Sequence, residues 1–579
     1  MSPRTLQAAP LFLRSDSNSS RATLTPLTAA TDYHCSIYYH PHTSTSALYP
    51  HHLEEKQEQR HRQWQTHRES KALELPTSLL SGTPLVLAML GLNTLMFLTA
   101  LDTTIVATTY VPIASEFRSL DQAQWIINSY LITTTAMQPI YGKLSDIIGR
   151  VEAIVFAVVL FMIGSVMCAV STSLWMLIAS RAVQGLGGGG LMTLVSVVLG
   201  DIIGERERGK WAGLFAGTWG VTSAVAPVIG GAIVKNTTWR IIFWINVPIC
   251  MVSTAIILRL LKIPRPGGSL REKLLRVDFL GSITSVVGIV LVLLALSWGG
   301  QEYHWSSSLV VSCLVIGVAL IGVFLFVEWK ISREPLMPLR LFRNRNIAIS
   351  SLSFLFFGAS VYGPIMFVPQ WALIVKNSSN IESGLYLLPL MIGLVISATM
   401  SGLVVEKSGR YREVIWIAAV FLLVGNGLLV RLDQNSGLAM IAIPLFVSGL
   451  GFGCANQTLS IVEQANASPR DMAAATTLGL FLRSIGAIIV VAVLSTVMQN
   501  SLAPQLADIV RDYPKVVDIV RGVTQNQQVL YSASVPKDVR VLIIDAYMKA
   551  MRASFVALLP FTVIFLLIVL GLKHKPLKK

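Results

Sequence analysis

The sequence predicts an all-α membrane protein with two six-helix halves, a central two-helix insertion and fourteen transmembrane helices. Three observations carry that prediction. First, 53% of the 579 residues are hydrophobic and only 13% are charged, whereas a soluble domain has about 45–50% apolar and about 25% charged residues. Mean hydropathy is +0.62. Second, apolar runs long enough to cross a bilayer, about 20 residues each, recur from Pro84 to the end. Third, the chain repeats itself at an offset of 260 residues. A soluble multidomain enzyme, a coiled coil and a collagen-like chain are excluded on these grounds.

In chain order, residues 1–80 are polar and irregular and are read as a disordered cytosolic tail. They hold seven of the nine histidines, including His51, His52, His61 and His67, but no cysteine pair that would complete a metal site. Arg4, Arg14 and Arg21 against Asp16 faintly resemble an organellar transit peptide. Within the tail, 53–75 reads as a short charged helix. The N-terminal bundle, 81–265, holds spans near 84–112, 122–142, 153–172, 174–200, 210–234 and 239–261. The insertion, 266–345, holds spans near 277–298 and 308–329. The C-terminal bundle, 346–579, holds spans near 346–372, 382–405, 413–431, 438–462, 473–499 and 553–572. Between the last two, 500–552 reads as an ordered external or lumenal segment.

The formal net charge of +15 is consistent with nucleic-acid binding or with basic loops of a membrane protein. Its placement decides. Lys and Arg concentrate in the short loops after even-numbered spans, as at Arg206, Arg208, Arg271, Lys273, Arg343 and Arg345, and in the C-terminal tail. By the positive-inside rule that side is cytosolic, with both termini on it. A nucleic-acid partner is therefore not needed. Cys35, Cys168, Cys250, Cys313 and Cys454 are far apart and form neither a disulfide framework nor a metal site.

The repeat is visible in two loops. Gly142, Asp146, Gly149 and Arg150 recur as Gly402, Glu406, Gly409 and Arg410. Downstream, Gly185-Leu-Gly187-Gly-Gly189 is matched by Gly449-Leu-Gly451-Phe-Gly453. Spans 1–6 then pair with spans 9–14, as in secondary transporters whose substrate site lies at the repeat interface. The first loop reads as a conformational latch, in which Asp146 caps or charge-pairs at a neighbouring helix and Arg150 bridges helix ends. The run Gly185–Gly190 also fits a dinucleotide fingerprint, but it lies inside an apolar span rather than after a strand, so helix packing explains it. No Walker motif occurs, which points to an ion gradient rather than ATP as the energy source. No cofactor is expected.

Ionisable residues inside spans are functional candidates because an unpaired charge in hydrocarbon is costly. Asp102 is placed near the non-cytosolic end of span 1, where it is either a proton-coupling carboxylate or a helix-end Asp bonded to Thr103 or Thr104. Arg181 lies well inside span 4 with Gln184 one turn away. It cannot deprotonate and must face a partner or a wet cavity. Arg483 lies midway along span 13, to attract an anionic substrate group or to hold a carboxylate of the other half. Asn93, Tyr130, Gln138, Asn246, Tyr362, Gln370, Tyr386, Asn456 and Gln457 are candidates for lining a central cavity or for bonding between helices. Gly220, Pro227, Gly230 and Gly231 should bend or loosen span 5.

Taken together, these motifs resemble the major facilitator superfamily, specifically its fourteen-helix drug:proton antiporter branch as found in fungi. The resemblance covers about residues 84–572 and rests on several signatures in order. They are Leu101-Asp102-Thr-Thr-Ile-Val-Ala, Gly142 to Arg150, Arg181-Ala-Val-Gln184-Gly185, Gly220 to Gly231, and Trp239-Arg240 with Phe243, Asn246 and Pro248. Ile147 and Val151 stand where basic residues are common, and Ala226 where a glycine usually precedes the proline. The resemblance implies proton translocation through Asp102, Arg181 and Gln184. It also implies an antiporter motif in span 5 that limits leak. The cargo would be drug-like or other small organic compounds, exchanged for protons across the plasma or vacuolar membrane. Two alternatives stay open: a vacuolar exchanger of basic amino acids or siderophores, and a non-transporting sensor on the same fold. The partners expected are small-molecule substrate, protons and the lipid bilayer. The sequence names no oligomeric state, and a monomer is compatible with it.

Overall fold

The computed structural model describes residues 82–575, apart from a few loop positions and most of 515–534. The expected tail, its 53–75 helix and its histidines lie outside the described residues. The described residues are predominantly helical. α1 (Thr83–Glu116), α2 (Trp125–Ile148), α3 (Arg150–Ala169), α4 (Leu174–Ile202), α5 (Arg208–Asn236) and α6 (Arg240–Leu260, interrupted at Ile245) form the first set. α7 (Phe279–Trp298) and α8 (Ser308–Lys330) follow, packed on each other. The second set is α9 (Arg345–Val375), α10 (Leu388–Ser408), α11 (Arg412–Leu429), α12 (Leu438–Asn466), α13 (Met472–Asp512) and α14 (Lys537–Leu570). Ser173, Asp278 and Ser307 cap α4, α7 and α8 with side-chain oxygens on free backbone N–H groups.

Among the described residues, thirteen helices are long and apolar enough to cross a membrane. The one long helix outside that set is α2, whose inner turns carry Asn128, Ser129, Tyr130, Thr133, Thr134, Thr135 and Gln138. It is polar because it is wedged between other helices, chiefly α4 and α13, rather than set against lipid. α8 is the opposite case: Val311, Val315, Val318 and Phe326 are exposed, as a lipid-facing helix requires.

Two expectations are corrected. The segment 500–552 is largely a continuation of the flanking helices, since α13 runs to Asp512 and α14 begins at Lys537. Leu502, Leu506, Ile509, Val539 and Ile543 are buried in the core of the second set. Charged residues on the opposite face, such as the exposed pair Asp545–Lys549, end the hydropathy run without ending the helix. Asp102 is not at a helix end either. α1 continues through Pro112 to Glu116, leaving the carboxylate about four turns inside.

The repeat is physical. Gly185 and Gly189 of α4 lie against Tyr130 and Thr134 of α2, while Gly187 lies against the α3 backbone at Ala157 and Phe161. In the second set, Gly449 and Gly453 of α12 lie against Leu390 and Leu394 of α10, and Gly451 against Ala418 and Leu422 of α11. Each glycine removes a side chain where two helix backbones meet, so the same triplet docks the same helix on its two neighbours in both sets.

Overpacking such a contact costs about 1–3 kcal/mol. Gly187→Leu is therefore expected to lower the thermal midpoint of the detergent-solubilised protein. Gly427→Leu, where nothing lies within 4 Å of an added Cβ, should leave it near wild type. Equal midpoints for the two variants would contradict the packing account.

Candidate functional site

α1, α3, α4 and α6 bring Asp102, Ser165, Arg181, Gln184 and Asn246 into one buried cluster. Asp102 Oδ2 accepts from Arg181 NH1 at 2.6 Å. Its Oδ1 accepts from Gln184 Nε2 at 2.8 Å and from Asn246 Nδ2 at 3.0 Å. The Arg181 and Asp102 side chains are 1% and 0% exposed. Arg181 also donates from Nε to the Ile126 carbonyl at 3.1 Å and from NH1 to Gln184 Oε1 at 2.6 Å. Its guanidinium carbon stands 4.2 Å from the Tyr130 ring centroid. Ser165 Oγ accepts from both Gln184 and Asn246, at 2.7 and 2.8 Å. Each charge is thus paired and hydrogen-bonded, the condition for tolerating a charge away from water.

The second set carries the same knot without charge. Asn426 Nδ2 donates to the Ser360 carbonyl at 3.0 Å and to Thr562 Oγ1 at 3.1 Å, while Ser448 donates to Asn426 Oδ1 at 3.1 Å. The register of the packed glycines aligns them: Gly164 lies against Gln184 as Gly425 lies against Ser448. Ser165 then corresponds to Asn426 and Gln184 to Ser448. Of the two knots, the first alone contains a carboxylate and a guanidinium.

The loop motifs also differ between the sets. Arg150 bonds Asp146 and, on α4, Asp201, both at 2.6 Å. Gly149 sits at φ 118°, a conformation that a side chain would strain. The loop therefore ties α2, α3 and α4 together. Contact with the other set comes instead from Gly142, which lies against Thr477 of α13. In the repeat, Gly409 is left-handed at φ 67° and closes α10, but Glu406 and Arg410 have no ion-pair partner among the described residues. Gly402 is buried.

α5 runs unbroken through Pro227. A Cβ on Gly230 would stand 3.1 Å from methyl carbons of Ile105 and Thr109, one to two turns beyond Asp102 on α1. A Cβ on Gly220 would stand 2.9 Å from Val395 of α10. The glycines thus set α5 close to both α1 and α10. Gly231, its neighbour in the motif, is half-buried.

A cavity opens between the two sets, on the side of the α2–α3 loop. Met96 of α1, Met192 and Leu199 of α4, and Arg208, Phe215 and Trp219 of α5 line one wall. Tyr362, Leu394, Phe452, Asn456, Gln457 and Arg483 line the other. Of the polar residues proposed from sequence, Tyr362, Asn456, Gln457 and Arg483 therefore reach it. The rest do not line it. Tyr130 and Asn246 belong to the ion-pair cluster. Asn93 donates to Thr218 at 2.9 Å, and Gln138 accepts from Ser484 at 3.4 Å across the two sets. Tyr386 packs edge-on against Trp371 at 6.1 Å, beside a separate recess with Lys376 and Glu382. Gln370 is half-buried on α9 outside the cavity. Polar side chains that join helices and those that face water have the same composition, so sequence alone does not separate them.

Ser165, Asp201 and Glu463 were not picked out from sequence. Glu463 is 1% exposed on α12 and accepts from Ser351 at 3.0 Å. Reading that span as ending at 462 placed it in a loop, whereas the helix continues to Asn466.

The profile of the Major Facilitator Superfamily matches residues 92–491. The chain belongs to that superfamily. It is 36% identical over 432 residues to efflux pump dotC of Dothistroma septosporum, covering 74% of this chain and 73% of that protein. It is 32% identical over 474 residues to multidrug resistance protein fnx1 of Schizosaccharomyces pombe, covering 80% and 88%. It is 31% identical over 420 residues to multidrug resistance protein 3 of Bacillus subtilis, covering 72% and 81%. Among solved structures, the human organic anion transporter MFSD10 superposes with a TM-score of 0.55 at 12% identity, covering 84% of this chain and all of that one, a likeness of fold alone. This superfamily member is accordingly a multi-pass membrane transporter, not an enzyme.

Among the described residues the motif arginine is ion-paired in the first loop and not in the second, so Arg150→Ala is expected to cost about 2–4 kcal/mol of stability. Arg410→Ala should stay within about 0.5 kcal/mol of wild type. Thermal midpoints of the purified variants check this; equal losses would contradict the asymmetry.

Proposed function

We propose that the protein is a proton-coupled antiporter that exports drug-like or other small organic compounds. The observation that carries the reading is the Asp102–Arg181 pair, buried with every partner it has. Arginine keeps its charge at any accessible pH. Proton uptake by Asp102 would therefore leave Arg181 as an uncompensated cation in a dry site, a state that favours a different arrangement of α1 and α4. The two protonation states thus stabilise two helix arrangements, which is what coupling requires. Asn246 Oδ1 has no hydrogen-bond partner. Rotation of that amide would turn Oδ1 toward Asp102, ready to accept the proton of the neutral carboxyl.

Transmission to cargo has a short route. Met96 in the cavity wall lies six residues from Asp102 on the same helix, about 9 Å along the axis. α5 supports a second route, touching α1 at Gly230 and lining the cavity at Phe215 and Trp219. The cavity faces the side whose loops are rich in Lys and Arg, which the positive-inside rule makes cytosolic. Loading from the cytosol follows, and the names of the efflux and multidrug relatives support export.

The test is transport by purified protein in liposomes with an imposed pH gradient. Asp102→Asn is expected to lower gradient-driven substrate movement by at least about tenfold. The double variant Asp102→Asn/Arg181→Gln removes both charges together, so it should fold and still bind substrate while remaining uncoupled. Gradient-driven transport at the wild-type rate in either variant would refute the role of the pair.

A further inference from the structure

We infer that the cavity selects amphipathic organic acids, and that Arg483 is the residue that binds their anionic group. This deepens the transport reading above and rests on it for the statement that the cavity holds cargo. Among the described residues that line the cavity, none is acidic and two are basic, Arg208 and Arg483. Arg208 is turned away from the role, since its guanidinium donates to the carbonyls of Gly200 and Ile203 at the end of α4. Arg483 is held differently. It sits about three turns into α13, half-buried, and its NH1 donates to Asn456 Oδ1 at 2.8 Å. That partner is neutral, and no carboxylate lies within ion-pairing reach among the described residues.

An arginine at membrane depth is costly unless it is paired or faces a wet cavity with a purpose. Arg181 shows how this chain holds an arginine whose charge is balanced within the protein, with a carboxylate and a ring around it. Arg483 has been left with an amide, and the missing counter-charge is supplied by what enters. The planar guanidinium suits carboxylates and delocalised enolate or phenolate oxygens in a two-point contact. Asn456 orients the fork while leaving its remaining N–H groups available.

The rest of the cavity defines the body of the ligand. Phe215, Trp219, Tyr362 and Phe452 offer aromatic faces from both sets of helices, and Met96 and Met192 supply deformable apolar contact. Such walls accept flat or polycyclic apolar compounds of varied outline, while the single cation fixes where the acidic group sits. The same arrangement repels organic cations and basic amino acids, for which the cavity has no carboxylate. Export of an anion in exchange for protons would move charge in one direction, so the membrane potential would assist both halves of the cycle.

The test is equilibrium binding of two xanthene dyes of similar shape, carboxyfluorescein and rhodamine 6G, to the detergent-purified full chain, read by fluorescence anisotropy. Wild type is expected to bind carboxyfluorescein the more tightly. Arg483→Ala should weaken that binding by at least about tenfold, and Arg483→Lys should retain part of it. Asn456→Asp leaves the arginine in place but supplies an internal carboxylate, and is expected to weaken carboxyfluorescein binding as well. Tighter binding of rhodamine 6G by wild type would overturn the inference, as would unchanged carboxyfluorescein binding in both Arg483→Ala and Asn456→Asp. Binding is measured without a gradient, so a failure of proton coupling leaves this result readable on its own.

Discussion

One constraint organises the molecule: in hydrocarbon a charge or polar group must find its partner inside the protein. The ion pair of Asp102 and Arg181 is the strongest expression of it. Four helices meet there, and each contributes a group that neither charge can lose. Asp102 from α1 and Arg181 from α4 neutralise each other, Asn246 of α6 and Gln184 of α4 donate to the carboxylate, and Ser165 of α3 accepts from both amides. The packing of α1, α3, α4 and α6 therefore converges on one buried ion pair.

The second six helices show the same junction without the ion pair. Ser360, Ser448, Asn426 and Thr562 join corresponding helices with neutral hydrogen bonds. The glycine contacts of α4 and α12 are likewise repeated. The knot and the close helix contacts are common to both sets, whereas the buried ion pair and the ion pairs of the Arg150 loop belong to the first. The charge that faces the cavity, Arg483, lies in the other half, so the ionic groups divide between the two sides of the molecule.

Much of this was legible in the sequence, for physical reasons. Lipid forces long apolar runs, so the all-helical fold and the order of its helices could be read, and the glycine motifs marked where they pack. Asp102 and Arg181 stood out because ionisable residues are rare in such runs, Gln184 because it lies one turn from Arg181, and the structure brings these three together. Hydropathy could not see past the ends of the runs. It placed Asp102 too near an end, treated the extensions of α13 and α14 as a separate segment, and left Glu463 outside its helix. Nor could it sort neutral polar residues. Tyr130 and Asn246 joined the ion pair, Asn93 and Gln138 joined helices, and only Tyr362, Asn456 and Gln457 reached the cavity with Arg483. That sorting depends on helix rotation and depth, which a single sequence does not encode.

The central claim, that Asp102 exchanges a proton as the helices rearrange, is tested most directly by infrared difference spectroscopy of the purified protein with and without bound substrate. The account predicts a carbonyl-stretch band of a protonated carboxyl that changes with substrate and disappears in Asp102→Asn while persisting in Glu463→Gln. A substrate-induced carboxyl band that survives in Asp102→Asn, or the absence of any such change in wild type, would contradict it.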